Sequence, residues 1–187
     1  EWRIDKQRLR WDVLDAFAQA AQQAGIPATD DFNQGSNEGV GYFEVNQKRG
    51  LRWNAAKAFV RPTCTGRTNF EMWTRAQVTR VVLEPQPDGS QRCTGVQVLR
   101  DGKMLTVQTR SEVILTAGAI GSPQLLQLSG IGDAAFLKSK GVEPTVDLPG
   151  VGANLQDHLQ IRAVFKVQGV ETLNVLANSW WGKAKIG

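Results

Sequence analysis

The run EVILTA, residues 112–117, leads directly into Gly118. A glycine there lets the backbone come close to a dinucleotide, because any side chain would hold the ligand off. The same glycine also permits a tight turn from strand to helix, and spacing alone leaves both readings open for Ala117 and Gly118. A second glycine pattern, GIGDAA at residues 130–135, matches the GxGxxA nucleotide fingerprint in letters only. It follows a helical pattern instead of a strand, and no acidic residue stands about 20 positions on behind a second strand. Gly39-Val40-Gly41 and Gly150-Val151-Gly152 fail in the same way. Asp30 and Asp31 are adjacent carboxylates in a polar loop, where solvation is the expected state. His158 is the one histidine, and Cys64 and Cys93 are the two cysteines. No two of these lie at the close spacing of a zinc site, and no GxSxG elbow gives His158 a nucleophile to activate. No metal site and no nucleophilic pair is therefore expected.

Bulk properties narrow the field further. The hydrophobic fraction of 41% suits a globular protein, and no apolar run approaches the roughly 18 residues needed to cross a bilayer. The net charge is +4, but the basic residues are scattered among acids from Arg3 to Lys185. A nucleic-acid groove gathers its cations and interleaves them with stacking aromatics, so no nucleic-acid partner is expected. Two thiols make no disulfide framework in 187 residues and point to a reducing, cytoplasmic compartment, with peripheral membrane association left open. The opening EWRIDKQRLRW has neither an initiator Met nor the apolar core of a signal peptide, and the chain closes on Lys185-Ile186-Gly187. Both ends are expected to be internal cuts.

Periodicity supplies the elements that must position these residues. Trp11, Leu14, Phe17, Ala18 and Ala21 recur at helical steps and predict an amphipathic helix over residues 8–24, stopped by Gly25 and Pro27. Residues 28–43 are rich in Gly, Asn and Asp and read as loop. A short helix is predicted over 54–60, ended by Pro62. Beyond Phe70 the pattern changes to short β-branched runs: FEMWT, VTRVVLE, CTGVQVLR and KMLTVQT, with a hairpin turn at Asp101-Gly102. EVILTA is continuously apolar, as expected of a parallel strand buried on both faces. Ser122-Pro123 predicts a helix start. Asp133 to Lys140 predicts a further helix, and QIRAVFKVQ, residues 160–168, predicts another alternating strand. The strand-rich middle and its flanks suggest two interleaved domains.

These motifs together carry a resemblance. GAIGSPQLLQLSGIG, residues 118–132, resembles the second signature of the glucose–methanol–choline (GMC) oxidoreductases, Gly-Ala-x-x-Ser-Pro-x-Leu-Leu-x-x-Ser-Gly-Ile-Gly, at every specified position. EVILTAGA before it and LPGVGANLQDH at 148–158 are similar to the family at corresponding distances. DFNQGSNEGVGYFEVNQKRGLRWNAAKAF and the closing TLNVLANSWWGKAKIG are similar to its choline-dehydrogenase-like bacterial branch. The resemblance spans nearly the whole chain.

The resemblance implies an α/β protein, α+β overall: part of an FAD-binding Rossmann-like domain interleaved with part of an antiparallel-sheet substrate domain. It divides the chain into cap and substrate-side helices and loops at 1–69, part of the FAD domain at 70–158, and the start of the substrate-binding domain at 159–187. It implies FAD as cofactor and hydride transfer from an alcohol, choline or another primary alcohol, followed by electron transfer to a quinone or oxygen. The same fold also serves FAD-containing lyases, and a truncated non-catalytic copy is a further alternative. The family's GxGxxG and its catalytic histidine fall outside this sequence, so no catalytic residue is assigned here. Of the cofactor contacts, Val78 in VTRVVLE matches the valine whose main chain holds the adenine edge. Ala117 and Gly118 match the strand end beside the adenosine. Leu125 and Leu126 match packing positions, and His158, in NLQDH, matches a structural position. Asn154 and Asp157 are expected to fix the loop by bonding backbone amides. TCTGRTNF, residues 63–70, departs from the family pattern of Arg-Pro-Asn-Leu and leaves the register into Val78 open.

Overall fold

The computed structural model describes residues 1–8 and 10–182. The chain divides into two compact units, one made of Glu1–Glu71 with the chain from Arg162 onward, the other of Met72–Ile161.

In the first unit, helix α1 spans Asp12–Gln23. It begins four residues later than the apolar spacing predicts, because the preceding segment is extended and pairs elsewhere: Asp5 and Val45 exchange amide–carbonyl bonds at 3.0 and 2.9 Å. Asp12 and Asp15 lie in the first turn, where carboxylates favour the positive end of the helix dipole. The end follows the sequence reading. Gly25 takes φ +89°, its amide bonds the carbonyl of Gln22, and the amide of Ile26 bonds that of Ala21. This paired arrangement satisfies two carbonyls the helix leaves free. The loop beyond is tied by a bridge between Ala28 and Val40. A two-residue hairpin, β1 Gln47–Lys48 and β2 Leu51–Arg52, turns through Arg49 and Gly50 at positive φ. A π-helical turn, Ala56–Val60, then runs into α2, Arg61–Thr63. The helix thus passes through Pro62 instead of ending there, because the missing N–H falls in the first turn of α2, where none is needed.

The second unit is built on an antiparallel meander. Strands β3 (Ala76–Pro85), β4 (Gln91–Arg100) and β5 (Lys103–Gln108) form a sheet in the order β3-β4-β5. Asp101 and Gly102 have φ of 49° and 74°, the double left-handed turn that joins strands without splaying them. Helix α3 (Gly118–Leu128) packs on β3. A short parallel pair follows, β6 (Ile131–Gly132) with β7 (Val146–Asp147), enclosing α4 (Ala134–Ser139). Asp133 caps α4 by accepting the Phe136 amide at 2.7 Å, and Asp147 reaches the Ala134 amide at 3.0 Å. Gly141, at φ +73°, closes α4 as Gly25 closes α1. The buried apolar side chains of this unit are Val81, Val98, Leu125 and Leu137. Returning to the first unit, α5 spans Leu173–Ala177. No helix among the described residues is long and apolar enough to cross a membrane.

Three predicted strands do not form. FEMWT, EVILTA and QIRAVFKVQ carry no strand, and Ile114 and Val164 are 73% and 92% exposed. A strand exists only through hydrogen bonds to a neighbour. Among the described residues none of these segments joins a sheet, so a strong β pattern alone does not make a strand. The fold is mixed helix and sheet, and its three-stranded sheet is antiparallel.

Candidate cofactor-binding site

Val78, the expected adenine contact, sits on β3, the edge strand of the meander, three residues from buried Val81. Val78 pairs with Val98 and Val81 with Val96, while Thr79 is left over in the shift between Val78 and Arg80. Two residues of β3 therefore face one of β4, a β-bulge. Val96 and Val98 lie two apart on β4, so their main chains face β3 in the same way. Their partners Val78 and Val81 must share an orientation too. Val81 turns its amide away from β4, donating to the Ser129 hydroxyl at 2.8 Å. Val78 thus turns its own main chain to that same outer edge, and its carbonyl accepts the Gln77 side-chain amide there at 3.0 Å. An unbulged strand would have presented Thr79 instead. The count fixes the pairing of Val78 with Val98.

Ala117 and Gly118 form the turn into α3. Gly118 has φ +84°, and apart from its chain neighbours and the backbone of its own helix no atom lies within 4 Å of where a Cβ would stand. The backbone angle therefore favours glycine, and the space beside it is otherwise open. A left-handed non-glycine residue costs about 1–2 kcal/mol. The α3 helix begins at this turn, four residues before Ser122. Ser122 still satisfies a free amide, since its hydroxyl accepts from Ala117 at 3.0 Å, but it does so from inside the helix. Pro123 lies inside α3 as well and has no amide to give the Ala119 carbonyl one turn back.

The site residues fall at opposite ends of one helix. Ser129, just after α3, meets β3 at Val81, three residues from Val78, whereas Gly118 opens the helix, which is about 16 Å long at 1.5 Å per residue. Along α3 runs an open groove of about 350 Å³, lined by Ile120, Pro123, Gln127, Phe136, Gly152 and Leu155 among others. Gln127 donates to the Val151 carbonyl at 3.0 Å and ties the 150–152 loop to α3. A Cβ on Gly152 would stand 2.6 Å from that Gln127 amide. The glycines of GIG are likewise packing residues: a Cβ on Gly130 would lie 2.6 Å from Thr145 Oγ1 and 2.8 Å from the Glu143 carbonyl.

The other residues singled out in the sequence take structural places. His158 donates its backbone amide to the carboxylate of Asp157 at 2.8 Å, a bond between neighbours in an exposed stretch. Asn154 contributes a left-handed backbone, φ 56°, which Asn tolerates. Asp31 accepts the Asn33 amide at 2.7 Å, and that bond holds its carboxyl below the usual value. Cys64 and Cys93 are free thiols. Among the described residues no cluster of His, Cys, Asp and Glu could hold a metal ion. Leu125 is buried and Leu126 partly so, in keeping with packing roles. Sequence reasoning read Ser122 as a cap but missed Ser129 as an anchor; the available signal was a hydroxyl directly after the leucines of the signature.

A glycine-led turn opens a helix that packs on an edge strand, a segment of mixed helix and sheet. Residues 5–160 match the sequence model of the GMC oxidoreductases. The chain belongs to the GMC oxidoreductase family. It is 42% identical over 168 residues to an oxygen-dependent choline dehydrogenase of Rhizobium meliloti, a match covering 90% of this chain and 29% of that protein. Among solved structures, a fungal aryl-alcohol oxidase superposes with a TM-score of 0.68 at 36% identity, covering 80% of this chain and 24% of that one. Pyridoxine 4-oxidase from Mesorbium loti superposes with a TM-score of 0.69 at 29% identity, covering 78% and 28%. The chain thus spans under a third of the length of these relatives.

Proposed function

We propose that this chain is an internal segment of an FAD-dependent oxidoreductase acting on CH–OH groups, of the choline or alcohol dehydrogenase and oxidase type. The observation that carries this reading is the family match across residues 5–160. The names of the relatives, a choline dehydrogenase and an aryl-alcohol oxidase, support an alcohol as substrate. Choline or another primary alcohol is the substrate proposed, and a quinone or oxygen the electron acceptor. A cytoplasmic location accords with the two free thiols.

Two observations fit the adenosine end of FAD. The bulge leaves the main chain of Val78 on the outer edge of β3, where an amide and a carbonyl can meet the donor and acceptor edge of adenine. The open space at Gly118 admits a ligand against bare backbone, with Ala117 held in place by Ser122. Val78, Ala117 and Gly118 are the proposed cofactor-binding residues. The chemistry that FAD supplies when bound is acceptance of hydride from the alcohol carbon. The base that removes the hydroxyl proton is assigned to a part of the enzyme beyond this chain. Residues 1–69 are proposed as the cap and substrate side, 70–158 as part of the FAD domain, and 159–187 as the start of the substrate-binding domain. The compact units, which divide after Glu71 and after Ile161, support these boundaries.

The test is anaerobic addition of choline or a primary aryl alcohol to the flavin-loaded protein that contains this segment. Bleaching of the flavin absorbance is expected, and a flavin that stays oxidised with every primary alcohol tried rejects the reading. The 187-residue chain alone is expected to turn over no alcohol. In the longer protein, Gly118→Val is expected to lower the flavin bound per protein, and unchanged flavin content removes Gly118 from the site.

A further inference from the structure

Ser129 is the buried polar side chain among the described residues, at 3% exposure. Its hydroxyl donates to the Leu125 carbonyl at 2.6 Å and accepts the Val81 amide at 2.8 Å. One oxygen therefore joins the last turn of α3 to the outer edge of β3. An outward amide on an edge strand is ordinarily left to water. Here the end of a helix stands in for the missing neighbouring strand. The bond falls two residues beyond Thr79, the extra residue of the bulge. A bulge leaves one residue unpaired and increases the local bend and twist, and a second register shift follows between Val82 and Leu83, so the ladder is irregular on both sides of Val81. Val81 and Val78 share an orientation, so whatever fixes the outer edge at Val81 also sets the direction in which Val78 presents its amide and carbonyl.

We propose that Ser129 is a positioning residue for the adenine end of the cofactor: its hydroxyl clamps β3 through Val81 so that the main chain of Val78 faces the ligand. This rests on the reading of Val78 as the adenine contact. Ser129 touches no ligand itself. Loss of its hydroxyl leaves the Val81 amide buried without a partner and frees the bulged stretch to shift. The consequence is confined to the adenosine half of the cofactor.

The experiment uses apo-protein of the full enzyme and two probes. ADP carries adenosine and pyrophosphate without the isoalloxazine, and FMN carries the isoalloxazine without adenosine. For Ser129→Ala, the ADP dissociation constant is expected to rise about tenfold, the size of one net hydrogen bond. FMN affinity is expected to stay within about twofold, and Ser129→Thr to restore ADP binding because it keeps the hydroxyl. Equal loss of ADP and FMN, or no loss of ADP, overturns the proposal. If Ser129→Ala does not fold, Ser129→Cys serves in its place, since a thiol of similar size is a weaker partner. A smaller loss with the same ADP selectivity is then expected, and unselective loss again overturns the clamp. Val78→Pro separates this inference from the one beneath it. It removes an amide that faces outward, a place where an edge strand tolerates proline. If Val78→Pro leaves ADP binding unchanged, the Val78 reading fails. If Val78→Pro weakens ADP and Ser129→Ala does not, the clamp alone fails.

Discussion

The two compact units solve the same problem with different means. Residues 72–161 hold Val81, Val98, Leu125 and Leu137 as buried apolar side chains around a ten-residue strand pair and two helices. Among the described residues of the other unit the buried apolar side chain is Ala58, α1 buries none of its residues, and the strands are two residues long. Its order comes from caps, isolated bridges and ring contacts, such as Phe32 against Phe43 at 4.8 Å and Arg10 over Tyr42 at 5.2 Å. Burial of a large apolar side chain contributes about 1.5–3 kcal/mol, whereas surface contacts of this kind contribute less than about 1. The difference teaches where each unit is vulnerable. One is sensitive to volume at a few positions, the other to backbone geometry and charge at many.

Core truncation should separate the units most strongly. Leu137→Ala, at a position 2% exposed, is expected to cost about 2–5 kcal/mol, while Leu14→Ala on α1, at 46% exposure, costs under about 1. Chemical denaturation of both variants checks this, and equal losses would dissolve the contrast. Gly102→Ala tests whether the sheet unit also depends on its turn. With φ at +74° and no atom within 4 Å of the new Cβ, the expected cost is purely conformational, about 1 kcal/mol, read as a lowered Tm.

The smallest effects are those of pH, and they run in opposite directions. Hydrogen bonds from Ser90 hold the Asp88 carboxyl of the β3–β4 turn below its usual value. Its folded form thus favours the charged state, a contribution complete above the ordinary carboxylate range and lost as pH falls through the lowered value. Burial, and then the bond its hydroxyl donates to Asp15 at 3.0 Å, raises Tyr42 in the other unit. Its contribution is complete below the ordinary tyrosine value and lost as pH rises through the raised one. Comparing acid and alkaline melting of Asp88→Ala and Tyr42→Phe with the parent reads both. Each variant should flatten the stability profile at its own end only.

What the sequence made legible was governed by short range. The Asp101-Gly102 turn, the Gly25 and Gly141 helix ends and the hairpin strands all depend on residues a few places apart, and each stands where the pattern puts it. EVILTA and QIRAVFKVQ have equally strong patterns, yet a strand is a relation between segments and its partner is not encoded in its own residues. The start of α3 was misplaced because Ser122 has the chemistry of a cap but bonds backwards to Ala117 from within the helix. The parallel pair β6 and β7 was invisible, since two residues are too few to show a period. At the candidate site, Gly118 was legible as glycine-requiring, whereas the outward turn of Val78 depends on an unpaired Thr79 that no propensity marks.

That unpaired threonine makes the edge of β3 a matter of counting. Replacing the side chain at Val78, Thr79 or Arg80 leaves the number of links between Val78 and Val81 intact. Deleting Thr79 itself would remove the bulge and leave Val78 opposite Val98 in a regular ladder, its main chain still on the outer edge. Length here can therefore change by the bulge residue alone, and what that residue adds is local bend and twist.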